Sequence, residues 1–448
     1  MSKGAKIVMV GGGSYNWIPR IMCDMMRAPE LNGSDVYLLD PNLQAAKEVK
    51  SAVEKMSKTL GAGFKFTAGS SEEKAFAGAD FVVITISTGD LEMMRHDLKI
   101  PEKYGILHTV GDSVGPGGWS RTLRNVPVFV KMARKIEKLS PKAIILNYTN
   151  PMAALTGAIY AATSLRTVGL CHGVFAAYHL LEKIFGVEEK DLCLKYGGVN
   201  HFFWVTDFTV KGRPGYPLLE KKLAGKSMDK FFAETHKDEA GMTYHKYKLL
   251  DELYRQYGYL PYPGDRHTCE FLPGFINNGK APFKRFGLVR TFIEERYEVR
   301  KNARERAAKL ASGELEPFER SRETAVDIMT AVITNKPFID VVNMPNIGQI
   351  DNLARGAVVE TMGMVDARGF TPIAIGSLPS EIQPTIDVHC KVQMMTLEAA
   401  MKGDLELALH SLMLDPLCAN LSPSDVRKMG LELIKATRAW LPQFQIEK

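Results

Sequence analysis

Cys171 and His172 stand together at the end of an apolar, strand-like run, Arg166-Thr-Val-Gly-Leu170. Further along, Gly197-Gly-Val-Asn-His201 leads into the aromatic run Phe202-Phe-Trp-Val205. A thiolate and an imidazole delivered from two such strands can hold a divalent cation, since sulfur and nitrogen suit Mn, Fe, Co or Zn and leave coordination positions open. The plain alternative is a cysteine that packs and a histidine that hydrogen-bonds within an aromatic core. A second cluster, Asp265-Arg266-His267, puts a base, a permanent cation and a titratable ring side by side in the loop from Pro261 to His267. Three consecutive residues cannot all face one point in regular structure, so at least one of them has a structural task.

These groups need a frame, and the N-terminal part of the chain supplies its pattern. Lys6-Ile-Val-Met-Val10 is a short apolar strand, followed by Gly11-Gly12-Gly13-Ser14 and a helical segment from about Ile18 to Met26. Strand, glycine turn and helix is the order in which backbone approaches a pyrophosphate seated on a helix N-terminus. The full Gly-x-Gly-x-x-Gly spacing is not met, because Asn16 occupies the third glycine position. A second strand, Asp35-Val-Tyr-Leu-Leu39, ends in Asp40, whose carboxylate can accept both ribose hydroxyls and would repel a 2′-phosphate, favouring NAD. A glycine-rich turn followed by a capping aspartate is the competing reading.

The alternation continues with a helix at 43–59, a strand at 80–86, a helix at 121–138, a strand at 143–147 and the strand that ends at Cys171. Such alternation predicts an α/β, doubly wound parallel sheet with its ligand site at the carboxyl ends of the strands. Ser87-Thr-Gly-Asp90, Asn147-Tyr-Thr-Asn-Pro151 and Cys171-His-Gly173 all follow strands at that rim. Gly111-Asp-Ser-Val-Gly-Pro-Gly-Gly118 is too rich in glycine to read as regular structure, and fits a mobile lid or a tight connection equally well. After a helix at 174–185 the pattern changes to strands at 193–210, a charged helical stretch at 226–257, helices at 286–313 and 318–335, strands near 357–360 and 370–373, and two closing helices. We therefore expect a dinucleotide-binding domain over 1–172 and a mixed α+β domain over 173–448.

Composition sets limits on partners. With 448 residues, 45% hydrophobic and 24% charged, the chain is a folded, multidomain globular protein, and a formal charge of +6 does not demand nucleic acid. The six cysteines lack paired spacing, and no apolar run approaches membrane-spanning length, so a reducing, cytoplasmic setting without a membrane partner is expected.

At this point the sequence resembles the NAD- and metal-dependent family 4 glycoside hydrolases. The resemblance is carried by Val10-Gly-Gly-Gly-Ser14, Gly115-Pro-Gly-Gly118, Asn147-Tyr-Thr-Asn-Pro151, Cys171-His-Gly173, Asn200-His201 and Gly264-Asp-Arg-His267. It implies a Rossmann-like fold akin to lactate and malate dehydrogenases, NAD, a divalent metal (Mn2+ foremost, with Co2+ or Fe2+ as alternatives) held by Cys171 and His201, and Asn150 at the meeting point of cofactor and substrate. It also implies a homodimer or homotetramer acting on a small glycoside. The Cys-His pair and the Gly-Asp-Arg-His segment are similar to members acting on α-linked uronides (α-glucuronidase, possibly α-galacturonidase) and differ from the phosphosugar enzymes, which usually carry an aspartate where this chain has His172.

The family is an exception to two-carboxylate glycoside hydrolysis. The resemblance implies oxidation at C3 of the sugar, removal of the C2 proton, loss of the C1 substituent, addition of water and re-reduction. Asp265 is assigned as the base with His267 second, and His172 as the acid, its ordinary pKa near roughly 6.5 suiting donation at neutral pH. A uronate carboxylate calls for a guanidinium; Arg266 and Arg95 are the two candidates, each of which could equally be a surface contact. A net oxidoreductase of the hydroxyacid dehydrogenase type is the alternative.

Overall fold

The structure is a computed structural model that describes residues 4–235 and 246–444. Its strands are β1 (Lys6–Val10), β2 (Asp35–Leu39), β3 (Lys65–Gly69), β4 (Phe81–Ile84), β5 (Ile144–Asn147), β6 (Arg166–Gly169), β7 (Leu192–Val199), β8 (Phe202–Val210), β9 (Arg213–Pro214), β10 (Leu260–Pro261), β11 (Phe338–Pro345), β12 (Val358–Asp366) and β13 (Gly369–Pro372). The first six pair in parallel in the order β3-β2-β1-β4-β5-β6, the doubly wound Rossmann arrangement. Val8, Val82, Val83, Ile84, Ile145 and Leu146 are fully buried, because crossover helices cover both faces of a parallel sheet and its strands are therefore apolar throughout.

The second half continues the same sheet in antiparallel pairing. Asn343 of β11 pairs with Gly169 of β6, and the order then runs β11-β12-β7-β8-β10. Strand direction thus switches just after the point where Cys171 leaves β6. The sequence pattern did not reveal β11, which lies between the expected helix at 318–335 and the expected strand near 357–360. Its apolar run Val341-Val342 alternates poorly, since both neighbours are buried alongside Asn343. Three α-helices rather than two close the chain, at Gln383–Lys402, Leu405–Met413 and Pro423–Thr437. They pack back over helix Gly115–Leu139, so the N-terminal half does not stand apart from the C-terminal one. The charged stretch expected at 226–257 holds helices Met228–Thr235 and Lys248–Tyr257, and residues 236–245 between them lie outside the described residues. Among the described residues, no helix is long and apolar enough to cross a membrane.

Gly111–Gly118 is neither a lid nor irregular throughout. Helix Gly115–Leu139 starts inside it, and every residue from 106 to 126 is buried. Glycine serves close approach here: a Cβ on Gly118 would lie 2.5 Å from the Ser113 carbonyl carbon, and one on Gly115 (φ +67) 2.7 Å from the His108 ring.

Candidate active site

The carboxyl ends of β1 and β2 form a glycine cradle. A Cβ on Gly11 would sit 2.1 Å from the Thr85 carbonyl oxygen and one on Gly12 2.6 Å from the Leu38 backbone, so the turn tolerates no side chains. Gly13 N donates to Asp40 Oδ2 at 2.9 Å and Asn42 N to Asp40 Oδ1 at 2.8 Å. Asp40 therefore locks the glycine turn from the tip of β2 and remains only half-buried, its spare lone pairs open to the rim. Ser14 Oγ accepts from Trp17 N at 3.3 Å at the start of helix Trp17–Met26. A bare-backbone turn, a helix N-terminus and an acidic tip together fit a dinucleotide.

Across the rim, β7 and β8 meet in a two-residue turn, Asn200-His201, in which His201 adopts φ +67. Non-glycine residues hold this conformation only where surroundings over-determine it, and they concentrate at functional sites. Here the neighbours are named: Asn200 Nδ2 donates to buried Glu360 Oε2 at 3.2 Å, and Asn343 Nδ2 donates to the same oxygen at 3.0 Å. Burial pushes the Glu360 carboxyl up to about 7 against the pull of those two amides. His201 Nε2 lies 3.3 Å from Cys171 Sγ, and its Nδ1 lies 2.8 Å from Ser113 Oγ.

Ser113 decides the tautomer. Its single hydroxyl proton goes to Asp112 Oδ1 at 2.9 Å, so it must accept from His201 Nδ1–H, leaving the Nε2 lone pair turned toward the thiol. Burial, with His267 adding to it, holds the His201 pKa well below its ordinary range, so the ring is neutral. Burial, reinforced by Glu360, pushes the Cys171 thiol up to about 12, so a nearby cation is what would make it a thiolate. A neutral imidazole lone pair beside a thiol, with the far ring nitrogen hydrogen-bonded, suits a divalent metal.

Asp112, in the glycine-rich stretch, offers a carboxylate whose oxygen lies within 4.8 Å of ring nitrogens of both His201 and His267. The His201 and His267 ring centroids are 4.0 Å apart, and His267 Nδ1, buried without a hydrogen-bond partner, faces Asp112 Oδ1 at 3.9 Å. Burial raises the Asp112 carboxyl, but His267, His201, Arg121 and Arg296 outweigh it and leave it ionised far below the usual range. For His267, burial outweighs Asp112 and Glu270 and lowers the pKa.

A buried carboxylate joins the two segments that carry this pair. Glu270 Oε1 accepts from Val110 N at 2.8 Å and Gly111 N at 3.0 Å, and faces His108 Nδ1 at 3.2 Å. Thr109 Oγ1, 2.8 Å from that oxygen, also meets the Arg266 carbonyl. His267 and Asp112 are thereby fixed relative to each other by contacts that sequence spacing does not reveal.

Two assignments made from the sequence change. Asp265 is 3% exposed and its carboxylate receives Leu249 N and Leu250 N, at 3.4 and 3.2 Å, at the start of helix Lys248–Tyr257. It is the structural member of the Asp-Arg-His trio, and burial pushes it up to about 7. Arg95 is held on the surface by Glu92 at 3.0 Å and Glu294 at 2.6 Å, tying helix Asp90–Lys103 to helix Ile293–Ser312. Arg266 is half-buried beside His267. The carbonyl of Asn150 accepts from Arg121 Nε at 3.0 Å. His172 caps helix Gly173–Phe185, is exposed, and faces Glu323 Oε1 across 3.6 Å; that contact raises its pKa.

Asp112, Ser113, Glu270, Glu323, Glu360 and Arg296 are the groups the sequence reading did not assign. The only sequence signal was Asp112-Ser113 in a glycine-rich segment at the ligand rim.

Comparison with known proteins identifies the family. The family 4 glycosyl hydrolase model matches residues 6–187, and the model of that family's C-terminal domain matches residues 196–418. An alpha-galacturonidase of Thermoanaerobacter italicus is 34% identical over 455 residues, covering 98% of both chains. The crystal structure of lplD from Bacillus subtilis superposes with a TM-score of 0.87 at 30% identity, covering 96% of this chain and 100% of that one. The 6-phospho-beta-glucosidase of Thermotoga maritima, solved with manganese, NAD+ and glucose-6-phosphate, has the same fold (TM-score 0.77, 24% identity, 97% and 98% covered). With both parts matched across most of its length, the chain belongs to the family 4 glycosyl hydrolases.

Proposed function

We propose that the protein is an NAD- and divalent-metal-dependent α-galacturonidase, with α-glucuronides, the C4 epimers, as the second substrate class. The observation that carries this reading is the His201 ring, neutral and with its Nε2 lone pair turned to Cys171, at the rim of a glycine cradle suited to a dinucleotide. The full-length similarity to an alpha-galacturonidase supports the substrate class.

Gly11 to Ser14 and Asp40 would hold NAD, with Asn150 beside it, and Cys171 with His201 would hold the metal, Mn2+ foremost. Together those two groups supply reversible oxidation at C3 and polarisation of the resulting carbonyl, which acidifies the C2 hydrogen. The protein's own part is proton transfer. His267, its pKa lowered and its ring neutral at pH 7, takes the C2 proton, and Asp112 stabilises the imidazolium that forms. His172, its pKa raised by Glu323, is the better proton donor of the two and donates to the departing C1 oxygen. Two histidines pushed in opposite directions by their surroundings give an acid and a base in one cleft.

The test is hydrolysis of an aryl α-galacturonide in deuterated water with NAD and Mn(II) under reducing conditions. The expected result is free galacturonate with deuterium at C2 and no net NADH. Product with C2 fully protonated, formed at a rate independent of NAD, would overturn the reading. Stoichiometric NADH would assign the chain to the oxidoreductases instead.

A further inference from the structure

Helix Ile293–Ser312 belongs to the C-terminal half but lies against the N-terminal one, and Arg296, Arg300 and Arg304 recur on one of its faces. Two of the three are fully engaged. Arg300 meets Asp90 at 2.5 and 3.1 Å, and Arg304 meets Glu48 at 2.7 and 2.8 Å. Tyr297 donates to Glu92 at 2.5 Å, which, with the Arg95–Glu294 pair, fastens the first turns of the helix to helix Asp90–Lys103.

Arg296 is different. Its Nε is buried with no hydrogen-bond partner, and the charges acting on it are Asp112, Arg266, Glu270 and Glu295. Glu270 is already committed to His108, Val110 and Gly111. Asp112 answers at once to His267, His201, Arg121 and Arg296. Beside Asp112 and Glu270, Arg296 therefore keeps an N–H that no group of the described residues accepts, and a buried cation with an unpartnered N–H favours an anionic guest.

We infer that Arg296 is a specificity-determining residue, receiving the C6 carboxylate of the uronide. This rests on the α-galacturonidase reading of the cleft. A planar guanidinium offers parallel N–H groups to both carboxylate oxygens, whereas the hydroxymethyl group of a neutral hexoside presents one acceptor and no charge. Arg121 is the poorer candidate, because its Nε is spent on the Asn150 carbonyl. Arg296 is also preorganised, since its helix is fastened on either side of it.

The test compares the wild-type enzyme with Arg296→Lys and Arg296→Gln on paired aryl α-galacturonide and aryl α-galactoside substrates. Calorimetric binding of galacturonate and of galactose to NAD-loaded, metal-free protein accompanies it. The expected result is a fall of roughly 10- to 100-fold in the ratio of kcat/KM for uronide over galactoside, carried by KM, with a parallel loss of galacturonate binding. The lysine variant keeps the cation and most of the aliphatic stem, so it reports on the fork geometry if the glutamine variant folds poorly. A uronide-cleaving wild type whose ratio is unmoved in both variants would overturn the role of Arg296 and leave the α-galacturonidase reading standing. A wild type that neither cleaves the uronide nor binds galacturonate would overturn both.

Discussion

The contacts that shape the turn at Gly11–Ser14 come from within Lys6–Ile86: three strands, one aspartate and close contacts between neighbours. The pocket around Cys171 instead draws on five separated segments, namely Asp112-Ser113, Cys171-His172, Asn200-His201, Arg266–Glu270 and Glu360. A cradle made from backbone tolerates change in its side chains and fails when a Cβ is added. A pocket made from converging side chains depends on each of them and on the buried contacts that align them. The first device suits a ligand recognised by shape, and the second suits proton and charge movement at defined atoms.

Breaking the second region should have the larger consequence. Cys171→Ser is expected to reduce turnover to below about a thousandth, because several kcal/mol of charge stabilisation depends on the metal, while NAD binding measured by fluorescence titration stays near the wild-type value. Normal turnover with normal metal affinity in that variant would move the metal elsewhere and erase the contrast between the regions. His267→Gln should lower kcat by roughly 10² to 10⁴ and slow deuterium appearance at C2 in step with it, the range for losing a general base. If the isotope still exchanges at the wild-type rate, His267 is not the base.

The cradle should yield more gently. Asp40→Ala is expected to weaken NAD by about 1 to 3 kcal/mol in a binding titration, since it removes a charged acceptor from Gly13 N and Asn42 N as well as from the ribose. A parent protein that prefers NADP would contradict the role given to Asp40.

Asp265 tests the line between scaffold and chemistry, and the expected effect on turnover is the smallest. Asp265→Asn should leave C2 exchange near wild type, because its carboxylate faces Leu249 N and Leu250 N. Its effect should appear in stability. Burial raises the folded-state value to about 7, so between pH of about 4 and about 7 the folded protein holds a proton that the unfolded chain has released. That contribution is full below about pH 4 and is lost as pH rises through about 7. Urea midpoints measured across this window should fall with pH for wild type and flatten for Asp265→Asn. Loss of C2 exchange in Asp265→Asn, with exchange intact in His267→Gln, would return the base to Asp265.

The sequence by itself determined the Rossmann half, the glycine turn, Asp40 and the pairing of Cys171 with His201. Each is encoded locally: apolar runs covered on both faces, glycines where a Cβ would meet backbone, and polar residues directly after strand ends. Only the tertiary structure decided that β11 inserts beside β6, that Asp265 turns to Leu249 N and Leu250 N while His267 lies against His201 and Asp112, and that Arg95 belongs to the surface while Arg296 has a buried, unpartnered N–H. The physical reason is that these outcomes depend on which partner a charged group meets. Asp265 meets two amide donors, Arg95 meets Glu92 and Glu294, and Asp112 meets His267 through Glu270, all brought together by contacts between residues far apart in the chain. Charge alone made Asp265 and His267, or Arg95 and Arg266, equal candidates; burial and neighbours made them different.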